Sequence, residues 1–183
     1  DLSAVLLQNL NPLVNRRRVP AKRIMLMDEW ESKIKAIVDS TWNKDVNSLS
    51  GVPSWMLVLI KSVLKKTGRD YLTEVWPNLE VFFHGGISFE PYREQYKALI
   101  PSDKMHYMET YNASEGFFGI QDDPADQSLL LMQDYGVFYE FIPMSEVGMP
   151  NPTILPLEAV ETGKNYAMVI TTSGGLWRYQ IGD

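Results

Sequence analysis

Two stretches carry residue types that could do chemistry. Tyr111-Asn112-Ala113-Ser114-Glu115-Gly116 sets an aromatic face, a small hydroxyl and a carboxylate within five residues. That set can stack on a base, touch a phosphate and ligate a hard cation such as Mg²⁺. The chain ends in Arg178-Tyr179-Gln180-Ile181-Gly182-Asp183, with a carboxylate directly after a glycine, which suits the diol of a ribose. Ser-Glu-Gly and Gly-Asp are also ordinary turn sequences. Together, in this order, the two stretches point to a nucleotide site.

The elements that must hold them change character near Tyr107, mainly helical before it and mainly strands after. Over 28–43, Trp30, Ile34, Ile37 and Val38 recur on one helical face, and Asp28 with Glu31 forms an acidic analogue of a capping box. Over 53–67, proline suits the first helical position, Lys65 and Lys66 complement the helix dipole, and Gly68 closes the helix in a left-handed conformation. Its apolar residues cover more than one face, which predicts burial on several sides or a pocket wall. Residues 79–84 read as a buried strand ending at Gly85-Gly86, followed by a short helix over 91–99. A second strand, 104–109, delivers Tyr111 to Glu115 to the loop at its carboxyl end. Open α/β sheets bind ligands at the carboxyl ends of their strands, so these two loops would share one crevice. Beyond them, 117–121, 129–133, 137–142, 166–171 and 177–181 read as short antiparallel strands, with the proline-rich passage 143–156 an exposed connection. The expected fold is α/β: an open sheet with flanking helices over 1–110, then a smaller antiparallel, partly barrel-like β portion over 111–183.

Phe83-His84-Gly85-Gly86, the Tyr111 to Gly116 stretch, and Gly174-Gly175-Leu176-Trp177-Arg178-Tyr179-Gln180-Ile181-Gly182-Asp183 resemble three ordered motifs of one family. It is the auxin-responsive acyl acid amido synthetases, plant hormone-conjugating enzymes with bacterial relatives in the adenylate-forming superfamily. The resemblance covers about residues 11–183. It implies that ATP activates a carboxylic acid as an acyl-adenylate and that an amine, typically of an amino acid, displaces AMP to form an amide. It also implies that Tyr111 stacks on adenine, Ser114 approaches the α-phosphate, Glu115 holds Mg²⁺ and Asp183 binds the ribose hydroxyls. Gly85 and Gly86 would let backbone pass the adenine edge. Plant members usually carry a small residue and a serine where this chain has Asn112 and Ala113, so the resemblance is to a bacterial-type variant. The family's phosphate loop would lie before Asp1 and its mobile carboxy-terminal domain after Asp183, which makes this chain a central piece, expected to be inactive alone. An acid:CoA ligase sharing the adenylation step, or a non-catalytic ligand-binding module, is the alternative. Four retained chemical types at Tyr111, Ser114, Glu115 and Asp183 argue against a degenerate site.

The 183 residues, 45% hydrophobic, suffice for a real core. A net charge of -6, from 17 basic and 23 acidic residues, argues against nucleic acid as a partner. The expected partners are a small carboxylic acid and an amine or amino acid. Arg16-Arg17-Arg18 reads as a solvated loop. The absence of cysteine fits a reducing cytoplasm, and no apolar run approaches the ~20 residues of a membrane helix. With His84 and His106 the only histidines, neither a zinc site nor Ser-His-Asp catalysis is supported. Thr171-Thr172-Ser173-Gly174-Gly175 reads as a strand-ending turn rather than a phosphate cradle. Trp55 and Met56 suit an acyl pocket, although core packing is the blander and favoured reading. The side to which Glu140 points is not decided by period alone.

Overall fold

The apolar run after Val52 folds as one helix, Pro53–Thr67. Proline sits in its first turn, and Gly68 closes it at φ 65°, its N–H donating to the Leu64 carbonyl; a residue without Cβ takes that geometry at no steric cost. Leu57, Ile60, Val63 and Leu64 are buried, while Trp55 and Val58 remain exposed. The helix therefore buries one broad face, not several. The computed structural model describes residues 7–182. Within them this helix is α4, preceded by α1 (Pro12–Arg17), α2 (Lys22–Met25) and α3 (Trp30–Thr41) and followed by α5 (Arg93–Leu99).

Two expectations about the early helices are corrected. Arg16 and Arg17 form the last turn of α1, where cations complement the dipole, and Arg18 caps it, donating to Asn15 Oδ1 and the Pro20 carbonyl; the run is helix end, not loop. Glu29, not Asp28, caps α3: its carboxylate accepts from the backbone N–H groups of Glu31 at 2.9 Å and Ser32 at 2.6 Å. Asp28 lies one residue too early to reach them.

A five-stranded sheet runs in the order β1 (Ser48–Gly51), β2 (Val81–His84), β3 (His106–Ala113), β4 (Gly116–Ile120), β5 (Leu130–Leu131). The first three strands are parallel and the last two join antiparallel. A second, wholly antiparallel sheet has the order β7 (Leu155–Pro156), β6 (Val137–Pro143), β8 (Tyr166–Thr172), β9 (Tyr179–Gln180). Both are open, and no barrel closes among the described residues. The proline-rich passage is mostly connection, as expected, but its end pairs with β6 as the edge strand β7, where Pro156 has no inner ladder to break.

Two apolar clusters hold these layers. The first joins Leu57, Ile60 and Val63 of α4 to Leu49, Phe82, Trp76 and Tyr96. Its polar tips are satisfied, with Trp76 Nε1 donating to the Thr41 carbonyl at 3.2 Å and the Tyr96 hydroxyl to the Pro53 carbonyl at 2.7 Å. The second joins Phe118 of the first sheet to Tyr139, Ile170 and Ile181 of the second region, with Tyr111, Ala113 and Leu176 packed against it.

Candidate nucleotide site

The parallel pairing ends side by side at Gly51, His84 and Glu109, which are in register. Directly beyond them lie Val52, Gly85-Gly86 and Thr110-Tyr111. Gly85 packs flat against β3: a Cβ there would collide with the Thr110 carbonyl oxygen and lie 2.9 Å from Thr110 Oγ1. The Thr110 hydroxyl donates to the His84 carbonyl at 3.0 Å, locking the strand ends together. Gly86 has φ +81°, a left-handed conformation that side chains rarely adopt. These two glycines are thus needed by the backbone itself, one for close approach and one for conformation.

β3 does not stop at Glu109. It continues to Ala113 because Thr110 and Tyr111, both good strand formers, pair with Ile120 and Gly119 of β4. Tyr111 therefore lies in the strand, and only Ser114-Glu115 form the turn to Gly116. Pairing shifts between Tyr111 and Asn112, leaving Phe118 as the extra residue of a β-bulge. The bulge drops Phe118 wholly into the second cluster, 5.3 Å from the Tyr111 ring at 61°. Gly116 makes room for it, since a Cβ there would lie 2.9 Å from the Phe118 ring. Tyr111 is thus held edge-on and half-buried, Ser114 is exposed and Glu115 half-exposed. Among the described residues no hydrogen bond or ion pair engages the Glu115 carboxylate. A single free carboxylate fits Mg²⁺, which is commonly held by one or two carboxylates plus substrate phosphates; no described group of three His, Asp or Glu side chains is arranged to hold a metal by itself.

The terminal motif returns to the same cluster. Thr171 and Thr172 lie in β8, and 173–175 turn the chain; the Thr171 hydroxyl accepts from the Arg178 N–H at 3.0 Å. This turn is closed on itself, as expected of a strand end. Arg178 stands at φ 45° and grips Glu140 with two bonds, Nε to Oε2 at 2.9 Å and a terminal nitrogen to Oε1 at 3.0 Å. The open question about Glu140 is answered: it faces Arg178, with its side chain 17% exposed. Ile181 is buried in the cluster against which Tyr111 packs. Asp183, two residues further, lies outside the described residues.

Met56 lies over the end of β1, with its Cε 3.4 Å from where a Cβ of Gly51 would stand, and Val52 reaches toward Gly86. Core packing holds for Met56 but not for Trp55, which is 57% exposed and meets Trp30 edge-on at 4.3 Å. Sequence reasoning missed Thr110, Phe118 and a polar cleft around His84, Tyr107 and Glu109. The only signal for the cleft was the strand register, which shares these three residues on one face.

A model of the GH3 family N-terminal domain matches residues 1–105, and a model of the GH3 family central domain matches residues 130–183. The chain belongs to the GH3 family, the amido synthetase family that its motifs resemble. It is 34% identical over 120 residues to indole-3-acetic acid-amido synthetase GH3.3 of Arabidopsis thaliana, covering 61% of this chain and 19% of that protein. Against indole-3-acetic acid-amido synthetase GH3.8 of Oryza sativa subsp. indica it is 34% identical over 123 residues, covering 61% and 20%. The chain thus spans about a fifth of the length of these relatives. Among solved structures, GH3.15 acyl acid amido synthetase superposes with a TM-score of 0.69 over 98% of this chain and 40% of that one, at 18% identity. The fold is shared.

Proposed function

We propose that the protein carrying this chain is an ATP-dependent acyl acid amido synthetase, which activates a carboxylic acid as its adenylate and transfers the acyl group to an amine, as of an amino acid. One observation supports this most. Gly85-Gly86, Tyr111 and Ile181, from three separated motifs, converge on the carboxyl ends of β2 and β3 and the cluster beneath them.

In this reading Tyr111, braced by Phe118, offers its ring to adenine, and Gly86 keeps the adenine edge clear of a side chain. Ser114, exposed at the hairpin tip, meets the α-phosphate; Asp183 accepts from the ribose hydroxyls. Glu115 would hold Mg²⁺, whose charge neutralises phosphate oxygens. The carboxylate of the acid attacks the α-phosphorus in line, pyrophosphate leaves, and positioning supplies most of the rate. Trp55 and Met56, above the end of β1, contribute a wall for the acid. Residues 1–110 form the helix-rich part of the adenylating unit and 111–183 its nucleotide loop and antiparallel part. No described helix is long and apolar enough to cross a membrane, and we place the reaction in the cytoplasm.

The test is acid-dependent exchange of pyrophosphate into ATP by the full-length protein. Exchange is expected, and Glu115→Gln should lower its rate at least about tenfold, with partial recovery in excess Mg²⁺. No exchange with any of a panel of aryl and alkyl carboxylic acids, or wild-type exchange by Glu115→Gln, would refute the reading.

A further inference from the structure

Asn112 stands where plant members of the family usually carry a small residue, and the fold gives its side chain no structural duty. It lies in β3 with its side chain exposed. Asparagine is poorly suited to strands, and a left-handed backbone does not explain it: apart from glycines, Arg178 alone among the described residues has a positive φ. It caps no described helix, and the hairpin turn is two residues further on. Its one polar side-chain contact among the described residues is with Thr110 Oγ1, at 3.5 Å.

That contact places it. Thr110 Oγ1 is the same atom that would lie 2.9 Å from a Cβ on Gly85, so the Asn112 carboxamide stands beside the Gly85-Gly86 turn. Its chain neighbour is Tyr111, whose ring is braced by Phe118 at 5.3 Å. A regular strand would send Tyr111 and Asn112 to opposite sides, but the pairing of β3 with β4 shifts between these two residues, and bulges re-aim side chains. A flat base can offer its face to the ring and its edge to the amide.

The direction of the amide follows from counting protons. A hydroxyl has one, and Thr110 gives its proton to the His84 carbonyl at 3.0 Å. Toward Asn112 it can therefore only accept. The oxygen and nitrogen of a carboxamide are alike in shape and are told apart by their partners. Although the atom nearest Thr110 is placed as Oδ1, the pairing that satisfies both groups turns Nδ2 to Thr110 and Oδ1 outward. At 3.5 Å the bond is weak; it orients the amide and leaves the oxygen unspent.

An outward carbonyl oxygen is an acceptor in need of a donor. Among purines it matches a 6-amino group, which donates, and opposes a 6-oxo group, which accepts. We propose that Asn112 is a base-specificity residue, whose Oδ1 accepts from the 6-amino group of adenine and so selects ATP over 6-oxo purine nucleotides. The inference rests on the nucleotide-site reading for the position of the base.

The full-length protein is tested by calorimetric binding and by acid-dependent pyrophosphate exchange, each with ATP and with ITP, which carries the 6-oxo group without the 2-amino bulk of guanine. Wild type is expected to prefer ATP at least about tenfold in both. Asn112→Ala should erase most of that preference by raising the Kd and KM of ATP, with kcat and the KM for the acid little changed and ITP bound as well or better. Asn112→Asp keeps an acceptor and cannot donate, so it should keep the preference even where its charge weakens both nucleotides. A merely structural Asn112 would instead weaken ATP and ITP alike. A wild type without preference, a ratio unmoved in Asn112→Ala, or a ratio lost equally in Asn112→Asp overturns the proposal. Exchange with an unmoved ratio sinks this inference and spares the amido synthetase. Selective binding that Asn112→Ala abolishes, without exchange for any acid, does the reverse, and no nucleotide binding at all overturns both.

Discussion

Thr110 connects residues that the sequence treats as separate motifs. Its carbonyl fills the space a Gly85 side chain would need, and its hydroxyl holds the His84 carbonyl. Gly85→Ala must therefore push β2 from β3 and should cost about 1–3 kcal/mol; Gly86→Ala, strained only by its backbone, should cost about 1–2 kcal/mol. Urea midpoints of the two variants check both, and equal midpoints with wild type would show that neither constraint exists. His84 makes a second residue-level prediction. Its folded pKa of about 4 lies below the ordinary 6.5, so as pH falls the unfolded chain takes up this proton first. The stability due to neutral His84 is complete above about pH 6.5 and is lost as pH falls toward about 4. Replacing it by phenylalanine, which keeps the stack on Phe89, should flatten the dependence of the urea midpoint on pH within that window; parallel profiles would contradict a buried neutral ring.

At the scale of elements, α4 was legible because its signals are local: Pro53 at the start, Lys65 and Lys66 in the last turn, Gly68 at the end. Gly68 has open space where a Cβ would go, so Gly68→Ala tests conformation alone. It should cost about 1–2 kcal/mol in urea denaturation, and Gly68→Asn, which tolerates left-handed geometry, should cost less. What the sequence hid was set by partners distant in the chain. Ser48-Leu49-Ser50-Gly51 has no strand signature, yet it pairs along its whole length with β2. β3 outran its expected end because β4 offers a ladder, and Phe118 became buried through a bulge that no local pattern announces. Glu140 was undecided by alternation because the deciding group, Arg178, lies 38 residues away. The candidate nucleotide residues were legible as types and order; the polar cleft around His84, Tyr107 and Glu109 was not, since it exists only through the β2–β3 register.

Across the whole molecule, the two ends of the candidate site are joined by the second cluster and by one charged clamp. Ile181 and Tyr111 share that cluster, and Arg178, at positive φ and just before β9, is bound by two short bonds to Glu140 of β6, which lies beyond β8 in the sheet. A bidentate guanidinium–carboxylate pair fixes geometry as well as charge, so the clamp sets how the chain enters β9. If Asp183 binds the ribose, its loss should appear chiefly in ATP binding: Asp183→Ala in the full-length protein should raise the apparent KM for ATP by about one to two decades, the ~1–3 kcal/mol of hydroxyls left unpaired, with little change in the KM for the acid. Glu140→Gln breaks the charge of the clamp without touching Asp183, and should raise the same KM by a smaller factor. The double variant decides between positioning and general softening. If Glu140 acts through Asp183, the double variant has the KM of Asp183→Ala alone, because the positioned group is already gone. Multiplying effects, or a Glu140→Gln variant whose KM for the acid rises as much as that for ATP, would show that the clamp stabilises the sheet and does not aim the ribose carboxylate.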